Sequence, residues 1–192
     1  MLFFVLVAIV ALLVASPALQ RLLVYPQTDF FTELWLLGPQ HKAENYPFNI
    51  ISNQDYNVFL GIGNHLGHCA YYMVQVKFRN QTQPAADSLN HTASSLPSLY
   101  NIVTFVADKE TLELPVHFSF DYTYDENLTQ VIFNRMMFNN VELAINGSSA
   151  VWDPQKSSFF GNLFFELWIY DATGNSRYHE RFVGLMLNMT LA

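Results

Sequence analysis

The sequence predicts an all-β protein, an antiparallel immunoglobulin-like β-sandwich preceded by one N-terminal transmembrane helix. Three observations support this prediction. Short stretches of alternating apolar and polar residues recur along the chain, with turn residues between them. No stretch after Val24 shows a long helical period. Residues 1–19 contain no charged side chain and just reach the length of about 20 apolar residues that spans a bilayer.

The N-terminal apolar segment has two interpretations. As a retained anchor, it would include residues 1–24. As a signal peptide, it would be cut after Ala18, because Ser16 and Ala18 are the small residues that cleavage requires, although no basic residue precedes the apolar run. We expect an anchor over 1–24, a hinge over 25–29 in which Pro26 stops any helix, and an extracytoplasmic β-sandwich domain over 30–192.

The strand with the clearest alternation is predicted over residues 70–79. Tyr72, Val74, Val76 and Phe78 share one face, which we expect to be buried, and Lys77 lies on the opposite face, which we expect to be wet. The other predicted strands are residues 30–38, 56–62, 100–106, 112–120, 131–138, 141–145, 159–170 and 178–189.

The connections are predicted from turn chemistry. Asn139-Asn140 suits a tight hairpin turn with positive φ, and a helix over 131–145 is the alternative. Residues 80–98 form a long polar loop, and residues 121–127 an acidic one. Pro115 within a strand favours a position whose N–H would point away from the sheet.

Composition excludes some functions. The net charge is −7 and charged residues are 13%, against about 25% in typical proteins. No run of Lys and Arg is present, so we expect no nucleic-acid partner. Cys69 is the only cysteine, so no intrachain disulfide can form and stability must come from packing, in which 17 Phe residues take part.

Five N-x-S/T triplets are candidate glycosylation sites. They all fall at strand ends, in loops or on the outward side of a strand, where an acceptor has to lie, so we expect all five to be accessible. By the positive-inside rule the single Arg21 alone would keep the following domain cytoplasmic, whereas the sequons favour an exported domain, and we give the sequons more weight. The five acceptors are Asn80, Asn90, Asn127, Asn146 and Asn188.

Candidate chemical sites are few. His65, His68 and Cys69 are close in sequence and are weak candidates for a metal site, because their spacing matches no standard zinc pattern and no fourth ligand is evident. The loop with Asp121 and Asp125 lacks the spacing of a calcium loop. No nucleophile elbow or phosphate loop occurs, and Gly61-Ile-Gly63 is too short to be a nucleotide motif. We therefore expect no catalytic residue and no cofactor.

Several motifs resemble a known family. The tract FFTELWLLGPQHKAENYPFNI is followed by VFLGIGNHLGHCAYYMVQVKF, and the last strands contain FFELWIYD. This pattern resembles the DUF1616 family of archaeal membrane proteins, whose pattern is FTE, LGP, AE-x-YP, GI-x-NH and Y-x-V-x-V. The resemblance implies an archaeal envelope setting, and it implies no activity, because the family is uncharacterised.

Together these observations predict a single-pass cell-membrane protein whose C-terminal domain is external. We expect a non-catalytic scaffold or partner-binding module, with an envelope protein as its partner. The alternative is a glycan- or metal-binding surface module, in which Trp35, Trp168 and the tyrosines could form a platform for sugars. A hydrolase is a third hypothesis, and assembly by completion of an edge strand is a fourth.

Overall fold

The computed structural model describes Phe4, Val5, Val7, Ile9 and residues 30–87, 89–145 and 148–190. The predicted anchor over 1–24 and the hinge over 25–29 lie outside these residues, apart from the four isolated positions. In the described part, no helix has the length and apolar character needed to cross a membrane. Residues from Phe31 onward form one compact unit.

Eleven strands make up the described domain, and their pairing divides them into two sheets. Sheet 1 contains β1 (Phe31–Leu37), β3 (Tyr56–His65), β6 (Thr111–Asp125), β7 (Gln130–Phe138), β8 (Val141–Leu143) and β9 (Ser149–Asp153). Sheet 2 contains β2 (Asn49–Ile50), β4 (Ala70–Asn80), β5 (Tyr100–Val106), β10 (Ser158–Tyr170) and β11 (Ser176–Met189).

Within the described residues, the order of strands leaves several edges unpaired. Sheet 1 runs β1-β3-β6-β7, and both β8 and β9 pair with the far side of β7. Sheet 2 runs β5-β4-β10-β11-β2. Strand pairs are antiparallel except for β2 with β11, and β9 links the sheets because it also pairs with the start of β10. The all-β prediction is confirmed.

Aromatic side chains from the two sheets pack against each other in the core. The ring of Phe78 in β4 lies 5.2 Å from that of Phe120 and 4.9 Å from that of Phe133, both in sheet 1. Phe138 of β7 approaches Phe165 of β10 at 6.4 Å. Burying each such ring removes a large apolar area from water, which is how this domain is stabilised without a disulfide.

Most predicted strands are confirmed, and the exceptions have physical causes. The buried face of β4 is as predicted, but Lys77 on its other face is also buried, because the loop of residues 80–98 covers it. Asp121 lies within β6, which continues to Asp125, so the predicted acidic loop is shorter than expected. Asn139 and Asn140 have φ of 46° and 66° in a β7–β8 hairpin, and the helical alternative over 131–145 is wrong.

Candidate functional site: an open groove between two strand edges

The most distinctive surface of the domain is a groove between the edges of β1 and β11. Among the described residues, strand β1 pairs only with β3, and β11 is paired on this side only where Asn188 and Met189 meet β2. Two adjoining cavities of about 530 and 380 Å³ lie between these edges and share Leu34 and Trp35. We call this surface the edge groove; it is lined by Thr32, Glu33, Leu34, Trp35, Leu36, Tyr46, Arg181, Val183, Gly184 and Leu185.

The backbone of β1 presents hydrogen-bonding groups to this groove. The Thr32 carbonyl accepts from Arg181 Nε at 3.4 Å, and the Leu36 carbonyl accepts from the Tyr46 hydroxyl at 2.7 Å. Because alternate residues of a strand face the same edge, the N–H and C=O of Leu34 point into the groove between these two capped carbonyls. In the described part of the chain, the Leu34 backbone has no partner on this edge.

The Trp35 indole packs against two glycines of β3, Gly61 and Gly63. A Cβ atom added at Gly61 would overlap the Trp35 indole, and one added at Gly63 would come 2.7 Å from the Glu33 carboxylate. Gly61 pairs directly with Trp35 in the sheet register, so the indole lies flat across the neighbouring strand. The short Gly61-Ile-Gly63 motif therefore has a packing role, which its sequence did not reveal.

A chain of hydrogen bonds runs behind the groove and joins the two sheets. His179 Nε2 lies 2.8 Å from Thr32 Oγ1, which is 3.1 Å from the Tyr72 hydroxyl, and that hydroxyl lies 3.2 Å from Asn64 Oδ1. Asn64 donates its amide hydrogens to the carbonyls of His68 and Val106, so its Oδ1 accepts from Tyr72. The Tyr72 oxygen therefore accepts from the Thr32 hydroxyl, and Thr32 Oγ1 in turn accepts from His179, whose Nε2 carries a hydrogen.

The electrostatics of this chain favour neutral groups. Burial lowers the pKa of His179 below its ordinary value, and the guanidinium groups of Arg177 and Arg181 lower it further. Burial raises the pKa of the Tyr72 hydroxyl, partly offset by its hydrogen bond with Thr32. Near neutral pH this row of hydrogen-bonded side chains is therefore uncharged, and it links β1 to sheet 2.

A segment of the chain that includes β1 matches the model of a known protein family. Residues 26–144 match the family model described as "Domain of unknown function (DUF1616)". This chain belongs to the DUF1616 family. The match includes β1, the two glycines under Trp35, Asn64 and Tyr72, whereas Arg181 and Val183 of β11 lie beyond it. Of the motifs that resembled the family in sequence, FTE lies in β1, GI-x-NH in the neighbouring β3 and Y-x-V-x-V in β4, whereas FFELWIYD begins in β10, beyond the matched residues.

The other comparisons add little to this DUF1616 assignment. No curated protein matches the chain. Among solved structures, one similar chain belongs to a crystal structure of a complex between Zinc 2-glycoprotein and Prolactin inducible protein from human seminal plasma. That match has a TM-score of 0.38 and 8% identity, and it covers 86% of this chain and 100% of the other. A likeness of this size carries no argument.

The predicted metal candidates of the DUF1616 chain each have another environment. His65 Nε2 lies 3.5 Å from the Glu33 carboxylate, and its ring stacks on Phe31 at 4.6 Å. His68 Nδ1 lies 3.0 Å from the Leu66 carbonyl, and Cys69 is exposed in the same turn. Within the residues that the structure describes, no group of three His, Cys, Asp or Glu side chains is placed to hold a metal ion.

The glycosylation acceptors fall into two groups. Asn90 and Asn127 are exposed. Asn80 and Asn188 are partly buried, and their side-chain amides donate to the Ser149 carbonyl at 2.8 Å and to Asn49 Oδ1 at 2.9 Å. Asn146 lies outside the described residues. Asn80 and Asn188 therefore present less of their side chains to solvent than Asn90 and Asn127 do.

A buried ion pair on the outer face of sheet 2 was missed by sequence reasoning. Lys77 Nζ lies 2.7 Å from Glu166 Oε2 and 2.9 Å from the Ser94 carbonyl, while the Ser94 N–H donates to Glu166 Oε1 at 2.7 Å. The pair therefore holds the 80–98 loop against the sheet. A signal was present in FFELW, because Phe164 and Phe165 are adjacent and both buried, which means that both faces of β10 are covered.

Proposed function

We propose that this protein is a non-catalytic envelope protein, anchored by its N-terminal apolar segment, whose external immunoglobulin-like β-sandwich binds a partner protein. The edge groove is the binding surface, and an extended segment of the partner is its occupant. The single observation that carries the proposal is the open edge of β1, where the Leu34 backbone lies between two capped carbonyls. An added strand gains affinity from such main-chain groups.

The lining of the groove would select the partner segment. The end of the groove near Leu36 is apolar, with Leu34, Leu36 and Val183, and is large enough to take apolar side chains from alternate positions of a strand. The end of the groove near Thr32 carries Glu33 and Arg181, which are one charge of each sign. A segment with alternating apolar residues that ends in a polar pair fits this arrangement.

Photo-crosslinking tests the proposal in the native membrane. We would place benzoylphenylalanine at Tyr46, which lines the groove and is 39% exposed, and at Trp152 in β9 as a matched aromatic control that is 41% exposed. A discrete protein adduct from position 46 and none from position 152 supports the proposal. Equal adducts from both positions, or none from position 46, contradict it.

Two substitutions at Leu34 separate the backbone contribution from side-chain packing. Leu34→Pro removes the outward N–H, and proline is tolerated in edge strands with the N–H side open. Leu34→Ala removes most of the side chain but keeps the N–H. We expect Leu34→Pro to abolish the adduct from position 46 and Leu34→Ala to retain it.

A glycan is the second candidate occupant of the same groove. The partly buried Trp35 indole beside Glu33 and Arg181 offers a stacking face flanked by polar groups, which suits a sugar ring. Under this alternative, a glycan array binds the purified protein and loses binding on Trp35→Ala, whereas Leu34→Pro has no effect. The two Leu34 variants therefore distinguish a peptide occupant from a saccharide.

A further inference from the structure

The end of the sandwich at which β1 begins carries exposed aromatic side chains on both sheets. Phe31 is 43% exposed, Tyr71 49% and Phe105 57%. The strand register puts them at one end, because Phe31 pairs with His65 at the β3–β4 turn and Tyr71 pairs with Phe105 just after it. Tyr170 adjoins them, with its ring 5.7 Å from that of Tyr71. We call these four side chains the aromatic rim.

The aromatic rim borders a cleft between the β3–β4 turn and the β10–β11 turn. A cavity of about 460 Å³ is lined by Tyr71, Phe105 and Tyr170 together with Cys69 and Arg177. The edge groove does not share these residues. On the outer face of sheet 2, exposed apolar surface continues toward the β5 edge with Val103, which is 46% exposed. Exposed apolar surface of this kind marks a contact with another phase or another molecule.

The position of the rim in the chain indicates what covers it. The apolar segment ends near Val24, and β1 starts at Phe31, so about six residues connect them, which span at most roughly 20 Å even when fully extended. If residues 1–24 lie in a bilayer, the end of the sandwich with Phe31 is held within that distance of its surface. Tyr favours the interface between lipid and water, because its ring is apolar and its hydroxyl is polar, and Phe supplies an apolar ring that inserts at the headgroup boundary.

We propose that the aromatic rim docks on the lipid headgroup region of the membrane that holds the N-terminal segment. This inference rests on the anchored part of the proposed function and adds an orientation, with the β1 start facing the lipid. The charges at this end are mixed, with Lys109 and Arg177 beside Asp108, Glu110 and Asp171. Docking therefore depends on the aromatic rings and occurs on zwitterionic phosphatidylcholine without anionic lipid.

The native cysteine allows a direct test. Cys69 is exposed, is the only cysteine, and lies in the cleft beside the rim. The full chain, labelled at Cys69 with an environment-sensitive fluorophore, is placed in phosphatidylcholine nanodiscs that contain lipids with a nitroxide in the headgroup. The matched control is Cys69→Ser with Gln155→Cys, which moves the label to the exposed β9–β10 turn at the other end of β10, roughly 40 Å away along a strand of 13 residues.

Docking predicts quenching at position 69 that is at least about twofold greater than at position 155. It also predicts that Tyr71→Ser with Phe105→Ser lowers quenching at position 69 while the β-sheet circular dichroism is unchanged. Equal quenching at the two positions overturns the proposal; if the double variant does not fold, this comparison alone decides. A chain that fails to remain with the nanodisc contradicts the anchor itself, and this result is distinguishable from a chain that remains bound with equal quenching.

Discussion

Lys77 Nζ and Glu166 Oε2 lie 2.7 Å apart across β4 and β10, and the side chains are 3% and 0% exposed. Both ends of the pair also bind the backbone of Ser94, because the ammonium donates to the Ser94 carbonyl and the carboxylate accepts from the Ser94 N–H, so the pair fixes the 80–98 loop. A buried pair of this kind costs much desolvation, but removal of one partner leaves an uncompensated charge.

Lys77→Met is therefore expected to lower the free energy of unfolding by about 3–5 kcal/mol. Lys77→Met with Glu166→Leu should recover most of this loss, because no charge then remains buried. Urea unfolding measures both. Lys42→Met is the control, since Lys42 and Glu44 form an exposed pair at 3.8 Å, and it should leave the midpoint unchanged. A Lys77→Met midpoint equal to that of the control would contradict the role of the pair.

Gly61 and Trp35 should behave as a coupled unit. Gly61→Ala places a methyl group where the indole lies, so we expect a loss of about 1–3 kcal/mol in unfolding free energy from overpacking. With Trp35→Ala already present, the same glycine substitution should cost little. A double-mutant cycle by urea unfolding measures this coupling. Strictly additive effects would show that the indole does not need the glycine.

Local patterns in the sequence predicted those features that depend on neighbouring residues. The alternation in β4 correctly places Tyr72, Val74 and Val76 in the core, because a strand turns every second residue to the same side. The Asn139-Asn140 turn was also predicted, because asparagine tolerates positive φ. Both features need only the residues within one hairpin.

The edge groove and the buried ion pair could not be predicted in this way. Which edge of a sheet stays open depends on pairings between distant segments, such as Ile50 with Met189. Similarly, Lys77 looked solvent-exposed from its alternation alone, and only the return of the loop at Ser94 buries it. Periodicity reports which face a residue takes but not what covers that face.

Glycosylation, if the domain is exported, should favour Asn90 and Asn127 over Asn80 and Asn188. The first two acceptors are exposed, whereas the amides of the other two are engaged with Ser149 and Asn49. Peptide mass spectrometry of the native protein measures the occupancy at each position. Asn90→Gln and Asn127→Gln should each remove one glycan increment from the intact mass. Higher occupancy at Asn80 than at Asn90 would contradict this order.

The His179 hydrogen-bond chain predicts a dependence of stability on pH. The folded state lowers the pKa of His179 below its ordinary value of 6.5, so the unfolded chain binds this proton more tightly. Above about pH 6.5 the residue contributes no pH dependence, since it is neutral in both states. As the pH falls from there toward the folded pKa, protonation favours the unfolded chain and the free energy of unfolding decreases.

His179→Gln isolates this effect from the other titrating groups. Glutamine keeps a side-chain N–H that can donate to Thr32 Oγ1 but does not titrate. The difference in unfolding free energy between wild type and His179→Gln, followed by urea unfolding from pH 7.5 to 5, should shift in favour of the variant as the pH falls. Other histidines and the carboxylates are common to both proteins and cancel in the difference. A difference that stays constant over this range would mean that His179 has the same proton affinity in both states, and the buried neutral chain linking β1 to sheet 2 would then be wrong.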